Sequence, residues 1–289
     1  MLRRILPAPA KMPSNLARLA LSGSAAALGG ILTYWTFLAL RQGHILFNSR
    51  ELPVVHLSDD FSVYSHDVPG GKVRGYVYHP DGEDALRDLF IYFAGRGEDV
   101  RATSKVLHRL PEGFGFAAAN YRGVADSQGE PSELASIEDA IMFSEHLRER
   151  FPGVRLHVVG RSLGTGVAIQ LVAKRDHFTS LQLVTPYDSM LEVAKRRFPL
   201  VPLSLLLRNR FESLRHCREV AAKTQILLAQ SDEVVLAERS QKLIDAWPTA
   251  VTVETIGESD HHNIMQLEET WLRLLDFALS EIMPEPKAA

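Results

Sequence analysis

A serine between two glycines, set where an apolar run gives way to a helical pattern, constrains this chain more than any other feature. Val154-Arg-Leu-His-Val-Val159 leads into Gly160-Arg161-Ser162-Leu163-Gly164 and then into Thr165-Gly-Val-Ala-Ile-Gln-Leu-Val-Ala-Lys174. β-Branched residues, then small ones around a serine, then apolar residues at helical spacing predict strand, tight turn and helix. So sharp a turn leaves no room for side chains beside the serine, and glycines flank it. The hydroxyl is lifted to the end of a sheet, over the amino terminus of the helix, as a nucleophile must be. Gly160, Gly164 and Gly166 also have the spacing of a dinucleotide-binding turn. That turn opens the first strand–helix unit of its fold and requires an acid about twenty residues later. Here several strands come first, Asp176 is too early, and no Tyr-x-x-x-Lys follows.

A serine hydroxyl is a weak nucleophile until a base takes its proton, and the base needs an acid to orient it. Around such a turn the chain order is Ser, then Asp or Glu, then His. Gln225-Ile-Leu-Leu-Ala229 reads as a strand, and Asp232 falls just past its carboxyl end. The rival acid is Asp188, after the preceding strand, and Glu233 begins the next turn. The last strand leads into Glu258-Ser-Asp-His261-His262-Asn263, where either histidine satisfies the order and Asp260 can cap the following helix. Acyl transfer also needs donors for an oxyanion. The amide of Leu163 supplies one, and the amide of Arg96, in Ala94-Gly95-Arg96-Gly97-Glu98, is expected to supply the other. No metal site and no cofactor are expected: His-Glu-x-x-His is absent, and the single Cys217 forms no cysteine cluster.

The flanking pattern predicts an α/β fold with a mostly parallel sheet, helices on both faces and antiparallel strands at the start. Strands are expected at Pro53–Leu57, Phe61–Ser65, Val73–Tyr78, Asp88–Phe93, Phe114–Ala119, Leu181–Val184, Gln225–Ala229 and Val251–Thr255, besides the one before Ser162. Helices are expected over Val100–Leu110, Glu133–Arg150 and Ile264–Ile282. The apolar, proline-broken stretch at about 188–215 reads as a cap over the catalytic end, or as an ordinary crossover with an extra turn. Residues after Pro284 read as a tail.

Charge is unevenly placed. The net charge of -3 gives no case for nucleic acid, yet the first acid is Glu51, preceded by Arg3, Arg4, Lys11, Arg18, Arg41 and Arg50. Leu19–Leu40 carries no charge. Rising about 1.5 Å per residue, this stretch just crosses a hydrocarbon core of about 30 Å. The expected organisation is a basic segment (1–18), a transmembrane anchor (19–40) and a catalytic domain (46–283). The basic leader places that domain on the non-cytoplasmic side of the membrane. A cleaved secretory leader, an organelle transit peptide and a buried core helix are the rival readings.

Taken together, these residues resemble the α/β-hydrolase superfamily, and within it the membrane-anchored serine hydrolases of the BEM46-like group with its ABHD12, ABHD13 and ABHD17 relatives. The resemblance covers roughly Leu46–Ile282. Its most specific piece is Tyr121-Arg-Gly-Val-Ala125-Asp-Ser127-Gln-Gly129-Glu-Pro131-Ser-Glu133, beside Gly160–Gly164, Asp232-Glu-Val-Val235 and His262-Asn263. The His-Asn pair selects His262 over His261. The resemblance implies a Ser162-Asp232-His262 triad, hydrolysis of an ester or thioester, with a lipid-like acyl group suggested by the apolar cap, and a motif loop in which Arg122 braces the sheet. Prolyl-aminopeptidase-type cleavage and a non-catalytic scaffold are the alternatives. Ala94-Gly95 stands where the group usually has His-Gly, and Ala125 replaces its second glycine.

Overall fold

A computed structural model describes residues 14–49, 57–58 and 60–280 of the 289-residue chain. Its strands are β1 (Phe61–Val68), β2 (Gly71–Tyr78), β3 (Asp88–Phe93), β4 (Phe114–Ala119), β5 (Arg155–Arg161), β6 (Ser180–Val184), β7 (Lys223–Ala229) and β8 (Thr252–Ile256). The helices are α1 (Ser14–Phe47), α2 (Glu133–Arg150), α3 (Leu163–Lys174), α4 (Met190–Arg197), α5 (Leu203–Leu206), α6 (Ser213–His216), α7 (Ala237–Asp245) and α8 (Glu268–Ser280). The strands form one sheet in the order β1-β2-β4-β3-β5-β6-β7-β8. β1 and β2 pair antiparallel, β2 is antiparallel to β4, and every later pairing is parallel.

All six residues of β3 are buried. Successive side chains of a strand point to opposite faces, so the centre of this sheet is covered on both. β1 and β8, at the two edges, are mostly exposed or half-buried. Phe90, Ile91, Val158, Val159, Leu181, Leu183, Ile226 and Leu227 form the middle of the core, with Phe143 and Leu147 of α2, Ile169 of α3 and Leu274 of α8.

The topology positions the site. β4 lies on one side of β3 and β5 on the other, so the loops leaving β3 and β5 diverge from neighbouring strands. Such a switch point opens a crevice at the carboxyl ends of the strands. Phe93 pairs with Gly160 there, which brings the 94–98 loop beside Ser162. At the edge, Ala229 pairs with Ile256, which brings the loop bearing Asp232 beside the loop bearing His261 and His262.

Several expectations need correction. The segment expected as a helix from Val100 is a 3₁₀ helix over Val100–Arg109. Asp99 accepts the Arg101 amide, and the Thr103 hydroxyl bonds back to the Val100 carbonyl, contacts that suit three-residue winding. The final helix is interrupted: Ile264–Gln266 is a 3₁₀ turn, Leu267 is extended, and α8 follows. Thr270 and Trp271 reach back across the break to the carbonyls of Ile264 and Met265. Helix α7 escaped the sequence reading because it is short and buries only Ser240 and Leu243. Three short helices, α4 to α6, fill the connection between β6 and β7. The strand expected at Pro53–Leu57 lies outside the described residues except for Leu57, as does the tail after Pro284.

Helix α1 covers the whole uncharged stretch. Among the described residues, however, no helix is long and apolar enough to cross a membrane. The anchor expected over 19–40 is therefore unsupported, and with it the placement of the domain across a bilayer. The chain divides into two compact units, Met1–Arg41 and Gln42–Ala289.

At the end of the sheet away from the crevice, buried Asp88 accepts two hydrogen bonds from Arg155, at 2.7 and 2.6 Å, and one from His157 Nε2 at 3.0 Å. Burial works against its charge, but His157 and Arg155 outweigh it and hold the carboxyl below its usual range. A carboxyl with a depressed folded-state pKa stabilises the fold above its unfolded pKa, and this stabilisation is lost as pH falls through the folded value. Asp88→Asn is expected to lower urea stability at pH 7, with the gap to wild type closing towards pH 3. An equal gap at both values would contradict this.

Candidate active site

Ser162 occupies a backbone conformation that side chains avoid, with φ 48° and ψ −116°. Such an outlier costs on the order of 1–3 kcal/mol and persists only where its surroundings over-determine it. The surroundings are on both sides. The Ser162 amide donates to the Val184 carbonyl of β6 at 2.9 Å, and its carbonyl accepts from the Thr165 amide and hydroxyl. A Cβ on Gly164 would lie 2.0 Å from the Phe93 carbonyl oxygen, and one on Gly160 would lie 2.7 Å from the Gly164 carbonyl. Both glycines are therefore required by contact between sheet and helix.

Ser162 Oγ lies 2.8 Å from Nε2 of His261, and Nδ1 of the same ring lies 2.8 Å from Asp232 Oδ2. The side chains of His261 and Asp232 are 9% and 8% exposed. Asp232 Oδ1 accepts the amides of Val234 and Val235, which fixes the carboxylate. An ionised Asp232 only accepts, so Nδ1 carries the ring proton, and Nε2 is left as the acceptor for the serine hydroxyl. The arrangement can remove a proton from Ser162 as its oxygen attacks an electrophile.

His262, the base selected from the sequence, is exposed and turned away. Its ring stands edge-on to that of His261, with centroids 5.7 Å apart. The turn decides between them. Asp260 Oδ1 accepts the amides of both His262 and Asn263, and the Asp260 amide donates to Asn263 Oδ1. Those amide bonds hold the Asp260 carboxyl below its usual range. The tight loop then points residue 261 inward and residue 262 outward. The His-Asn pattern lies in this loop, but its Asn263 serves the turn. Asp188, the rival acid, is elsewhere: it accepts from Arg239 Nη1 at 2.9 Å and from the Ser189 amide. Burial raises its pKa, against the pull of that amide and of Arg239.

Leu163 is the first residue of α3, and Arg96 sits in the turn after β3. That turn is held by tertiary contacts that the sequence does not display. The Arg96 guanidinium donates to the Ile45 carbonyl, and the Gly97 amide donates to the Phe47 carbonyl at 3.1 Å. Tyr121 of the Tyr-Arg-Gly motif donates its hydroxyl to the Ala94 carbonyl at 3.0 Å. Arg122 makes a forked pair with Asp139 of α2, at 2.9 and 2.8 Å, so it ties the motif loop to that helix, where a brace to the sheet was expected. Ala125, standing for glycine, keeps a left-handed φ of 52°, at a cost of roughly 1–2 kcal/mol. Among the described residues no group of His, Cys, Asp or Glu could hold a metal ion.

The family described as "Hydrolase_4: Serine aminopeptidase, S33" matches residues 84–215. An uncharacterized protein of Mycobacterium tuberculosis is 31% identical over 238 residues, covering 78% of this chain and 83% of the relative. The chain belongs to the α/β-hydrolase superfamily. It is ABHD12-like within that superfamily, and a serine hydrolase. The lysophosphatidylserine lipase ABHD12 of Danio rerio is 29% identical over 211 residues, covering 62% of this chain but only 54% of that protein. The hydrolase thus spans about half the length of that lipase. An esterase from Pyrococcus furiosus shares the fold, with a TM-score of 0.60, 16% identity and coverage of 80% of this chain and 97% of its own.

Proposed function

We propose that this hydrolase cleaves a carboxylic ester or thioester with a lipid-like acyl group through an acyl-enzyme on Ser162. The hydrogen-bond chain from Ser162 through His261 to Asp232 carries the reading. Ser162 Oγ attacks the acyl carbon while His261 Nε2 takes its proton, and the carbonyl oxygen becomes an oxyanion facing the amides of Leu163 and Arg96. Each such donor is worth about 10²–10³ in kcat. The oxyanion collapses, the alcohol or thiol leaves, and His261 returns the proton to it. Water then repeats the sequence on the acyl-enzyme and releases the acid. Asp232 holds the ring tautomer and stabilises the imidazolium without being protonated itself. The lipid-like acyl group is suggested by the likeness to ABHD12 and by the apolar 188–215 insertion, read here as a cap.

The matching aminopeptidase family supports a second reading, cleavage at an amino-terminal residue. Two assays separate these. A fluorophosphonate probe is expected to label wild type and to leave Ser162→Ala unlabelled. p-Nitrophenyl esters of increasing chain length are expected to turn over, with kcat/KM rising towards longer acyl groups. Hydrolysis of aminoacyl p-nitroanilides in preference to esters would favour the peptidase. Folded wild type that takes up no probe would make the protein a non-catalytic member of its fold.

A further inference from the structure

We infer that Arg161 and Glu98 form a positioning clamp that locks the oxyanion loop and the histidine loop to the nucleophile turn. The inference rests on the reading of Ser162 as nucleophile. Arg161 is the last residue of β5 and directly precedes Ser162. Its Nη1 donates to Glu98 Oε2 at 2.7 Å, and its Nη2 donates to the carbonyls of His261 at 3.0 Å and His262 at 3.4 Å. Glu98 gathers two more donors: the Tyr92 hydroxyl on Oε1 at 2.8 Å and the Gly95 amide on Oε2 at 3.0 Å. One ion pair therefore touches the end of β3, the 94–98 loop, the turn bearing Ser162 and the loop bearing His261.

The sheet cannot supply this link. β6 and β7 separate β5 from β8, so no backbone ladder joins the serine turn to the histidine loop. Arg161 spans that gap because a guanidinium presents several donors in a rigid plane, where an ammonium is a single point. Because Glu98 holds the Gly95 amide, the clamp gives the Ala94-Gly95 loop a support of its own.

The charges are arranged to persist. Burial opposes the Arg161 charge, but Glu98 outweighs it and keeps the guanidinium firmly protonated. Burial and the adjacent Glu98 push the Tyr92 phenol well above its usual range, so it stays a donor. Both ion-pair partners are about 15% exposed. Truncating either would strand the other, and the two loops would drift apart. A misplacement of about 1 Å at reacting groups costs on the order of 10²-fold in rate.

The test uses the full chain with Arg161→Lys, Glu98→Gln and the two combined. Glu98→Gln is nearly isosteric and keeps an acceptor for Gly95 or Tyr92, so it guards against simple misfolding. Circular dichroism establishes that each variant is folded at the assay temperature. Each single variant is expected to lower kcat for p-nitrophenyl butyrate about 10–100-fold with KM within about threefold. Fluorophosphonate labelling should slow by a similar factor, because it needs serine attack but little acyl recognition. The double variant should lose little more than the worse single one, since both act through one clamp. A merely structural pair would lower melting temperature and the labelled fraction while the folded fraction reacted at the wild-type rate. Folded Glu98→Gln and Arg161→Lys that label as fast as wild type would overturn the clamp and leave the hydrolase reading standing. Wild type that never labels would remove that reading, and the clamp with it.

Discussion

His261→Ala lowers kcat for an activated ester by on the order of 10⁶-fold, while His262→Ala stays within a few-fold of wild type. The asymmetry follows from the turn. His261 Nε2 is 2.8 Å from Ser162 Oγ and its other nitrogen is on Asp232, so removing this ring leaves the hydroxyl without a proton acceptor. Exposed His262 offers the site only its carbonyl, which survives the substitution. Losing the serine or the histidine of such a constellation costs nearly as much as losing all of it, because the two act together. Single-turnover release of p-nitrophenol measures both variants. Equal losses, or a larger loss at 262, would mean that the loop rearranges before reaction.

Phe47→Ala is expected to destabilise the Gln42–Ala289 unit by about 3–5 kcal/mol, the range for emptying a buried aromatic site. Phe47 is fully buried, packs edge-on against Tyr121 with centroids 5.1 Å apart, and lies 6.2 Å from the Phe211 ring. Its carbonyl also receives the Gly97 amide, so the end of α1 supports the loop that carries Arg96. Nearby, Gln42 accepts the Arg208 amide and donates to the Leu206 carbonyl, which ties the same segment to the insertion after β6. Equilibrium urea unfolding reads the loss, and a change under about 1 kcal/mol would show that the cavity collapses at no cost. A domain trimmed at residue 50 should behave at least as badly, although the residues retained would include every proposed catalytic group.

Much of this architecture was legible along the chain because it is governed by local rules. β3, β4 and α2 begin and end where the apolar runs and the amphipathic pattern place them. The glycines around Ser162 announce a turn that no other residue type fits. Ser162 is marked by its glycine-flanked turn, whereas chain order admits Asp188 as well as Asp232, and only the place of Asp232 just past a strand end favoured it. These properties depend on neighbours a few residues away, which a sequence displays directly.

What needed the folded chain are choices made by contacts between distant segments. The His-Asn pattern pointed to His262, and only the Asp260 turn, bonded to the loop after β7 and to Arg161, directs residue 261 inward instead. Arg161 and Glu98 are 63 positions apart, and nothing in either segment marks them as partners. Likewise Phe47 resembles one more apolar residue at a helix end until the 95–97 loop and Tyr121 close around it. Local chemistry thus determined which atoms this protein could offer for catalysis. Tertiary packing decided which of them meet, because side-chain direction and pairing are settled by neighbours that only folding supplies.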